Sequence, residues 1–154
     1  MSSVELDVNG TKRQLDVDAD TPLAYILRND LGLKSVKIGC ELEQCGACRV
    51  LVDGEAKPSC VTPVGSLVGR AITTLEGIAP SDGMLSAVQR SLLDHNAAQC
   101  GYCLSGIVIT LEALFRRDPH PDEASLRTAL DDNLCRCGAH PRILRAMRAL
   151  AKET

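Results

Sequence analysis

The sequence of 154 residues predicts an α+β protein in which a small mixed sheet with one helix precedes a bundle of four helices. Three observations carry this. Up to about residue 77, short runs alternate apolar and polar residues or are rich in β-branched ones, and the dipeptides Asn9-Gly10 and Asp53-Gly54 interrupt them as two-residue hairpin turns. Beyond residue 83, apolar residues instead recur three and four apart, the period of a helix face. The eight cysteines divide evenly, four in each half.

Each element has its own signal. Val4, Leu6 and Val8 alternate with Glu5 and Asp7, which reads as a strand, and residues 13–17 supply the return strand with Leu15 and Val17 on one face. Thr21 is the expected N-cap of a first helix, with Pro22 at its first position, Leu23, Ile26 and Leu27 at helical spacing, and Gly32 closing it. Residues 49–52 form a further strand before the Asp53-Gly54 turn, and residues 71–75 another, ended by Gly77. Pro80, Ser81, Asp82 and Gly83 mark a loop and the expected boundary between a domain over 1–77 and a domain over 83–154. In the second domain the helix stripes are Leu85, Val88, Leu92 and Leu93, then Ile107, Leu111, Leu114 and Phe115, then Leu126, Ala129 and Leu130, then Ile143, Met147 and Leu150. Pro119 and Pro121 break the second of these helices, and Pro141 stands near the start of the fourth. The stripes read as core.

Composition excludes several function classes. Hydrophobic residues make up 45%, enough for a packed core, but aromatics only 2%, so the core is aliphatic. A net charge of −3 offers no basic surface for nucleic acid. No apolar run approaches the roughly 18 residues of a membrane span. The N-terminal residues lack the basic-then-apolar pattern of an export signal, which points to the reducing cytoplasm. No Gly-rich phosphate loop is present, and His95, His120 and His140 belong to no triad or metal motif.

Eight thiols in a reducing compartment point to metal rather than to disulfides. The first four, Cys40, Cys45, Cys48 and Cys60, follow a C-x4-C-x2-C pattern with the fourth twelve residues on, the spacing of plant-type 2Fe–2S ferredoxins. Three ligands on one tight loop wrap a cluster, Gly46 allows close approach, and Cys60 closes it from beyond a hairpin over 50–57. A four-cysteine zinc site usually shows paired C-x2–4-C knuckles, and only Cys45–Cys48 makes one. In the second set, Cys100 and Cys103 open a helix, where i and i+3 share a face, and Cys135 and Cys137 lie on the connection between the third and fourth helices. By spacing alone this set suits zinc as well as iron.

Taken together, Cys40…Cys45-Gly-Ala-Cys48…Cys60, Gln99-Cys100-Gly-Tyr-Cys103 and Asn133-Leu-Cys135-Arg-Cys137 resemble the two-cluster iron–sulfur domain of molybdenum hydroxylases of the xanthine dehydrogenase group, over nearly the whole chain. The ending from Cys137 to Ile143 is similar to the branch acting on nicotinate or isoquinoline. The resemblance implies a ferredoxin-like β-grasp domain followed by a four-helix bundle, with two 2Fe–2S clusters. It implies that Cys100, Cys103, Cys135 and Cys137 hold the cluster nearer a molybdenum–pterin cofactor in a large partner subunit, and that Cys40, Cys45, Cys48 and Cys60 hold the outer one. Gln99 and Cys137 match positions that hydrogen-bond the pterin. The function implied is an electron-transfer subunit that carries no substrate chemistry itself, passing electrons to a flavin subunit, a cytochrome or another acceptor during oxidation of an N-heteroaromatic or aldehyde-type substrate. A free-standing ferredoxin-type carrier and a zinc-stabilised interaction module are the other readings.

The chain departs from that pattern in two places. Glu41 and Glu43 occupy positions where the family often has Gly, so if those positions need positive φ the loop is either reshaped or strained. Asp132 stands where Gly is usual, and Gly138-Ala139-His140 replaces the usual ending of the last motif.

Overall fold

The computed structural model describes residues 2–79 and 83–153. The expected boundary residues Pro80, Ser81 and Asp82 lie outside the described residues. The first half is a five-stranded sheet in the order β2-β1-β5-β3-β4. Strand β1 (Ser2–Val8) pairs antiparallel with β2 (Thr11–Val17) through the Asn9-Gly10 turn. Strands β3 (Arg49–Val52) and β4 (Glu55–Pro58) pair likewise through Asp53-Gly54. Strand β5 (Ala71–Thr73) lies between the hairpins, parallel to β1 and antiparallel to β3. Both turns have positive φ at both residues (53° and 72°, 50° and 86°), the conformation that matches the twist of the strands they join.

Val4, Leu6 and Val8 face one side of β1 and are buried, together with Val50 and Val52 of β3 and Ile72 of β5. Against that face packs α1 (Leu23–Tyr25), which widens into a π-turn over Ile26–Asp30 and buries Leu23, Ala24, Ile26 and Leu27. Gly32 ends the helix with φ +69°, as the sequence predicts, while the Leu33 N–H returns to the Leu27 carbonyl at 2.8 Å. The N-cap is Pro22 rather than Thr21, and no side chain caps this end. Instead the freed N–H groups of Leu23 and Ala24 bond the carbonyls of Thr62 (2.8 Å) and Ser59 (3.0 Å), which ties α1 to the segment around Cys60. The last strand is shorter than expected, because residues 75–77 turn into a 3-10 helix, Leu75–Gly77.

Four helices follow: α2 (Ala87–Asp94), α3 (Leu104–Arg117), α4 (Glu123–Leu130) and α5 (His140–Glu153). Their shared core contains Val88, Leu92, Ile107, Leu111, Leu114, Leu126, Leu130, Ile143, Met147 and Leu150. Leu85 and Leu93, expected on that face, are exposed (36% and 62%), and Phe115 is half-buried. Helix α3 is buried all round over Ser105–Glu112 because it serves two layers: Ile107 and Leu111 face the helices, whereas Ile109 meets Leu51 of β3 and Ile78. Leu51 points to the side of the sheet opposite Val50 and Val52, so β3 is covered on both faces. Among the described residues no helix is long and apolar enough to cross a membrane.

Helix α2 begins with a reciprocal cap. The Ser86 hydroxyl accepts from the Gln89 N–H (3.1 Å), the Gln89 side-chain carbonyl accepts from the Ser86 N–H (2.9 Å), and the Ser86 hydroxyl donates to the buried Glu112 carboxylate of α3. Ser86→Ala is expected to cost about 1–2 kcal/mol, since the cap is lost and Glu112 loses a donor. Thermal unfolding would read this as a fall in Tm of about 2–4 °C per kcal/mol, and an unchanged midpoint would show the cap to be idle.

Candidate metal centres

The first thiol set grows out of the sheet. Cys48 and Cys60 flank the β3–β4 hairpin and are buried in the sheet core, while Cys40 and Cys45 sit on the loop ahead of β3 and are half-buried. That loop folds back on the Cys40 sulfur. The N–H groups of Leu42, Gln44 and Cys45 all lie 3.3 Å from Cys40 Sγ, and the Cys40 N–H lies 3.4 Å from Cys45 Sγ. The turn that aims these donors needs positive φ at Glu41 (56°) and Glu43 (63°), so the loop keeps its shape and accepts strain at two non-glycine residues. Left-handed backbone at such residues costs about 1–2 kcal/mol each. Gly39 is also required, because a Cβ there would lie 2.7 Å from Cys45 Sγ.

These contacts set the thiol chemistry. Burial pushes Cys40 up, but its three backbone donors outweigh burial and bring it down to about 7. Burial raises Cys60 to about 11 against a backbone N–H from Glu43, with the neighbouring Cys48 and Cys40 adding to the rise. Thiolate is the form that binds metal, so Cys40 is readier to ligate than Cys60, whose proton is lost to solvent as a metal cation binds.

The second set is less enclosed. Cys100 to Cys103 do not open the helix as the spacing suggested: they form a turn around Gly101 (φ +81°), and α3 starts at Leu104 with Cys103 as its cap. Cys103 and Cys135 are half-buried, whereas Cys100 and Cys137 are exposed. Cys100 contacts Cys137 and Cys103 contacts Cys135. The Tyr102 N–H and then Cys137 lower Cys100; burial and then Cys135 raise Cys103 to about 12. At Cys135 burial raises the thiol, but the Ala139 N–H, 3.4 Å from its sulfur, and Cys103 outweigh it. The Gln99 amide nitrogen donates to the Cys137 carbonyl at 2.8 Å, holding the two loops together.

Both sets offer sulfur alone with N–H groups aimed at the sulfurs, and in the first Gly39 leaves beside Cys45 Sγ the room that a Cβ would fill. Each site supplies four cysteine sulfurs and no nitrogen or oxygen donor, and that donor chemistry fits a 2Fe–2S cluster.

The two sets are joined where the halves touch. The Leu134 N–H, next to Cys135, donates to the carbonyl of Cys45 at 3.0 Å, and the Tyr102 hydroxyl, next to Cys103, donates to the Ile38 carbonyl at 2.6 Å. Gly46 makes the approach possible: it has φ +72°, and a Cβ there would fall 2.4 Å from the Asp132 carbonyl and the Asn133 side chain. Asn133 is buried in this seam, and both polar atoms of its amide have no protein partner among the described residues. Arg49 crosses the same seam to Thr110 (3.2 Å) and to Asp132 (3.3 Å), which gives the carboxylate standing in place of the usual Gly a partner. Gly106 of α3 also lies in this seam, since a Cβ on it would stand 1.9 Å from the Gly46 carbonyl oxygen; sequence reasoning missed Tyr102, Asn133 and Gly106 as joining residues.

Two all-cysteine centres, each on its own small module and in hydrogen-bonded contact, define a two-cluster iron–sulfur protein. Residues 6–66 match the 2Fe-2S iron-sulfur cluster binding domain family and residues 74–148 the 2Fe-2S binding domain family. The chain is 48% identical to one subunit of the nicotinate dehydrogenase of Pseudomonas putida, over 98% of this chain and 96% of that one. It superposes on quinoline 2-oxidoreductase from Pseudomonas putida 86 with a TM-score of 0.91 at 35% identity, covering 98% of this chain and 94% of that one. Against the aldehyde oxidoreductase from Desulfovibrio gigas the TM-score is 0.90 at 35% identity, with 98% of this chain covered but only 17% of that longer one. The chain belongs to the family of 2Fe–2S small subunits of molybdenum hydroxylases.

Proposed function

We propose that this chain relays electrons from a molybdenum centre in the large subunit to an acceptor, with Cys100, Cys103, Cys135 and Cys137 holding the inner 2Fe–2S cluster and Cys40, Cys45, Cys48 and Cys60 the outer. One observation carries the reading: the two thiol sets meet through the hydrogen bond from Leu134 to Cys45, which links a residue beside one set to a member of the other without leaving the backbone. When bound, the clusters supply two sites that each accept and release one electron.

The chain's own residues do the rest. Backbone N–H groups at Cys40 stabilise added negative charge on that sulfur. The exposed pair Cys100 and Cys137 presents the second set to a partner's surface, and the buried pair Cys48 and Cys60 keeps water from the first. The Gln99 amide nitrogen bonds the Cys137 carbonyl, and we take both residues to hydrogen-bond the pterin, as the family pattern implies. We take the two modules to divide between residues 77 and 83, giving domains over 1–77 and 83–154. The acceptor is a flavin subunit, a cytochrome or another acceptor, the compartment is the cytoplasm, and the substrate oxidised on the partner is an N-heteroaromatic or aldehyde-type compound, a reading supported by the names of the nicotinate, quinoline and aldehyde enzymes.

Metal content and EPR of the reduced protein test this together. About four iron and four inorganic sulfide per chain, with two distinct signals, are expected; about two zinc and no sulfide would refute it. A monomer that purifies without any molybdenum-bearing companion would instead favour a free ferredoxin-type carrier.

A further inference from the structure

The outer thiol set contains a fixture that its ligation does not explain. Glu41, directly after Cys40, is held at φ 56° although it is exposed and has a Cβ. Its carboxylate accepts a hydrogen bond from the hydroxyl of Tyr25. Tyr25 ends the α-helical part of α1, whose residues Leu23, Ala24, Ile26 and Leu27 are buried in the sheet core. The bond therefore fastens the strained point of an exposed loop to a rigid element sixteen residues earlier in the chain. What hangs on that point is the set of donors at Cys40 Sγ. Leu42, Gln44 and Cys45 reach the sulfur at 3.3 Å only while residues 41 and 43 stay left-handed. A glycine adopts that conformation without penalty; a glutamate relaxes out of it unless something holds it.

We propose that Tyr25 and Glu41 form a clamp that positions the backbone donors at Cys40 and so raises the reduction potential of the outer cluster. Tyr25 is a positioning residue: it acts on the sulfur only through residue 41. The idea rests on Cys40 being a ligand of the outer cluster. N–H donors favour the reduced, more negative state, so loosening them lowers the potential. Removing the Glu41 charge alone does the opposite, and this difference in sign lets the two effects be separated.

The test is a double-mutant cycle read by EPR-monitored redox titration of the assembled complex, with the inner cluster as internal reference. Tyr25→Phe changes no charge. It is expected to lower the reduced-to-oxidised ratio of the outer cluster about threefold or more at a fixed ambient potential, a fall of roughly 28 mV or more for a one-electron couple. In a Glu41→Gly background, where residue 41 needs no clamp, the same change is expected to do nothing. An unchanged or raised outer potential in Tyr25→Phe overturns the proposal, as does an equal fall in both backgrounds. If Tyr25→Phe loses the outer cluster altogether, retention of that cluster in the double variant supports the clamp, and loss in both overturns it by assigning Tyr25 to the core. Absence of an outer signal from the unaltered complex would overturn the ligand assignment itself, an outcome distinct from failure of the clamp.

Discussion

Gly106→Ala is expected to force the two halves apart at their tightest contact. Gly106 lies in the first turns of α3, and a Cβ there would sit 1.9 Å from the carbonyl oxygen of Gly46. That oxygen is backbone, on the loop that carries Cys45 and Cys48, so no side chain can swing aside. Either α3 or the loop must move by more than an ångström. Both are fixed, α3 by burial on all sides and the loop by its bonds to Leu134 and Cys40. Ordinary overpacking costs about 1–3 kcal/mol, and a backbone collision between two buried elements is expected to exceed it. Denaturant unfolding measures the loss. Gly69→Ala is the control: unlike the helical Gly106, Gly69 has a positive φ (+79°), and a Cβ there meets nothing within 4 Å, so only left-handed backbone strain of about 1–2 kcal/mol is expected. Equal losses in the two variants would refute the contact. In surviving Gly106→Ala protein, electron exchange between the two clusters should slow, because the bond from Leu134 to Cys45 depends on the same approach.

Cys103→Ser should stop electron flow where Cys45→Ser merely interrupts it later. Cys103 caps α3 beside the exposed Cys100 and Cys137, so on the proposed assignment its loss removes the entry station. Turnover with an acceptor downstream of the outer cluster is expected to fall by more than the roughly 10–100-fold typical of changes outside a metal's direct ligands. Dithionite should still produce the outer EPR signal in this variant. In Cys45→Ser the outer signal disappears, while substrate still reduces the inner cluster. Loss of only the outer signal in both variants would reverse the assignment.

Much of this was legible beforehand, for local reasons. Asn9-Gly10 and Asp53-Gly54 announce their hairpins because few other pairs accept positive φ twice in succession, and Gly32 announces a helix end on the same ground. The division of thiols could be read because ligands on one loop must be close in sequence. What escaped depends on contacts between distant segments. The spacing of Cys100 and Cys103 suited a helix face and a tight turn equally well, and Gly101 decided for the turn. Leu85 and Leu93 matched a helical stripe, but Leu85 lies ahead of the Ser86 cap, outside the helix, and Leu93 falls on an exposed side of α2. Gly106, a lone glycine within a strong helical pattern, was the available sign of the close approach to Gly46. Nothing in the sequence paired Tyr25 with Glu41, since sixteen residues and a turn of chain separate them.

The uneven cover of the eight sulfurs has a practical corollary. Cys48 and Cys60 are sealed inside the sheet module, whereas Cys100 and Cys137 stand at the surface. On the proposed assignment, the edge that admits electrons also admits dioxygen and chelators, so the chain alone is expected to lose iron from the second set before the first.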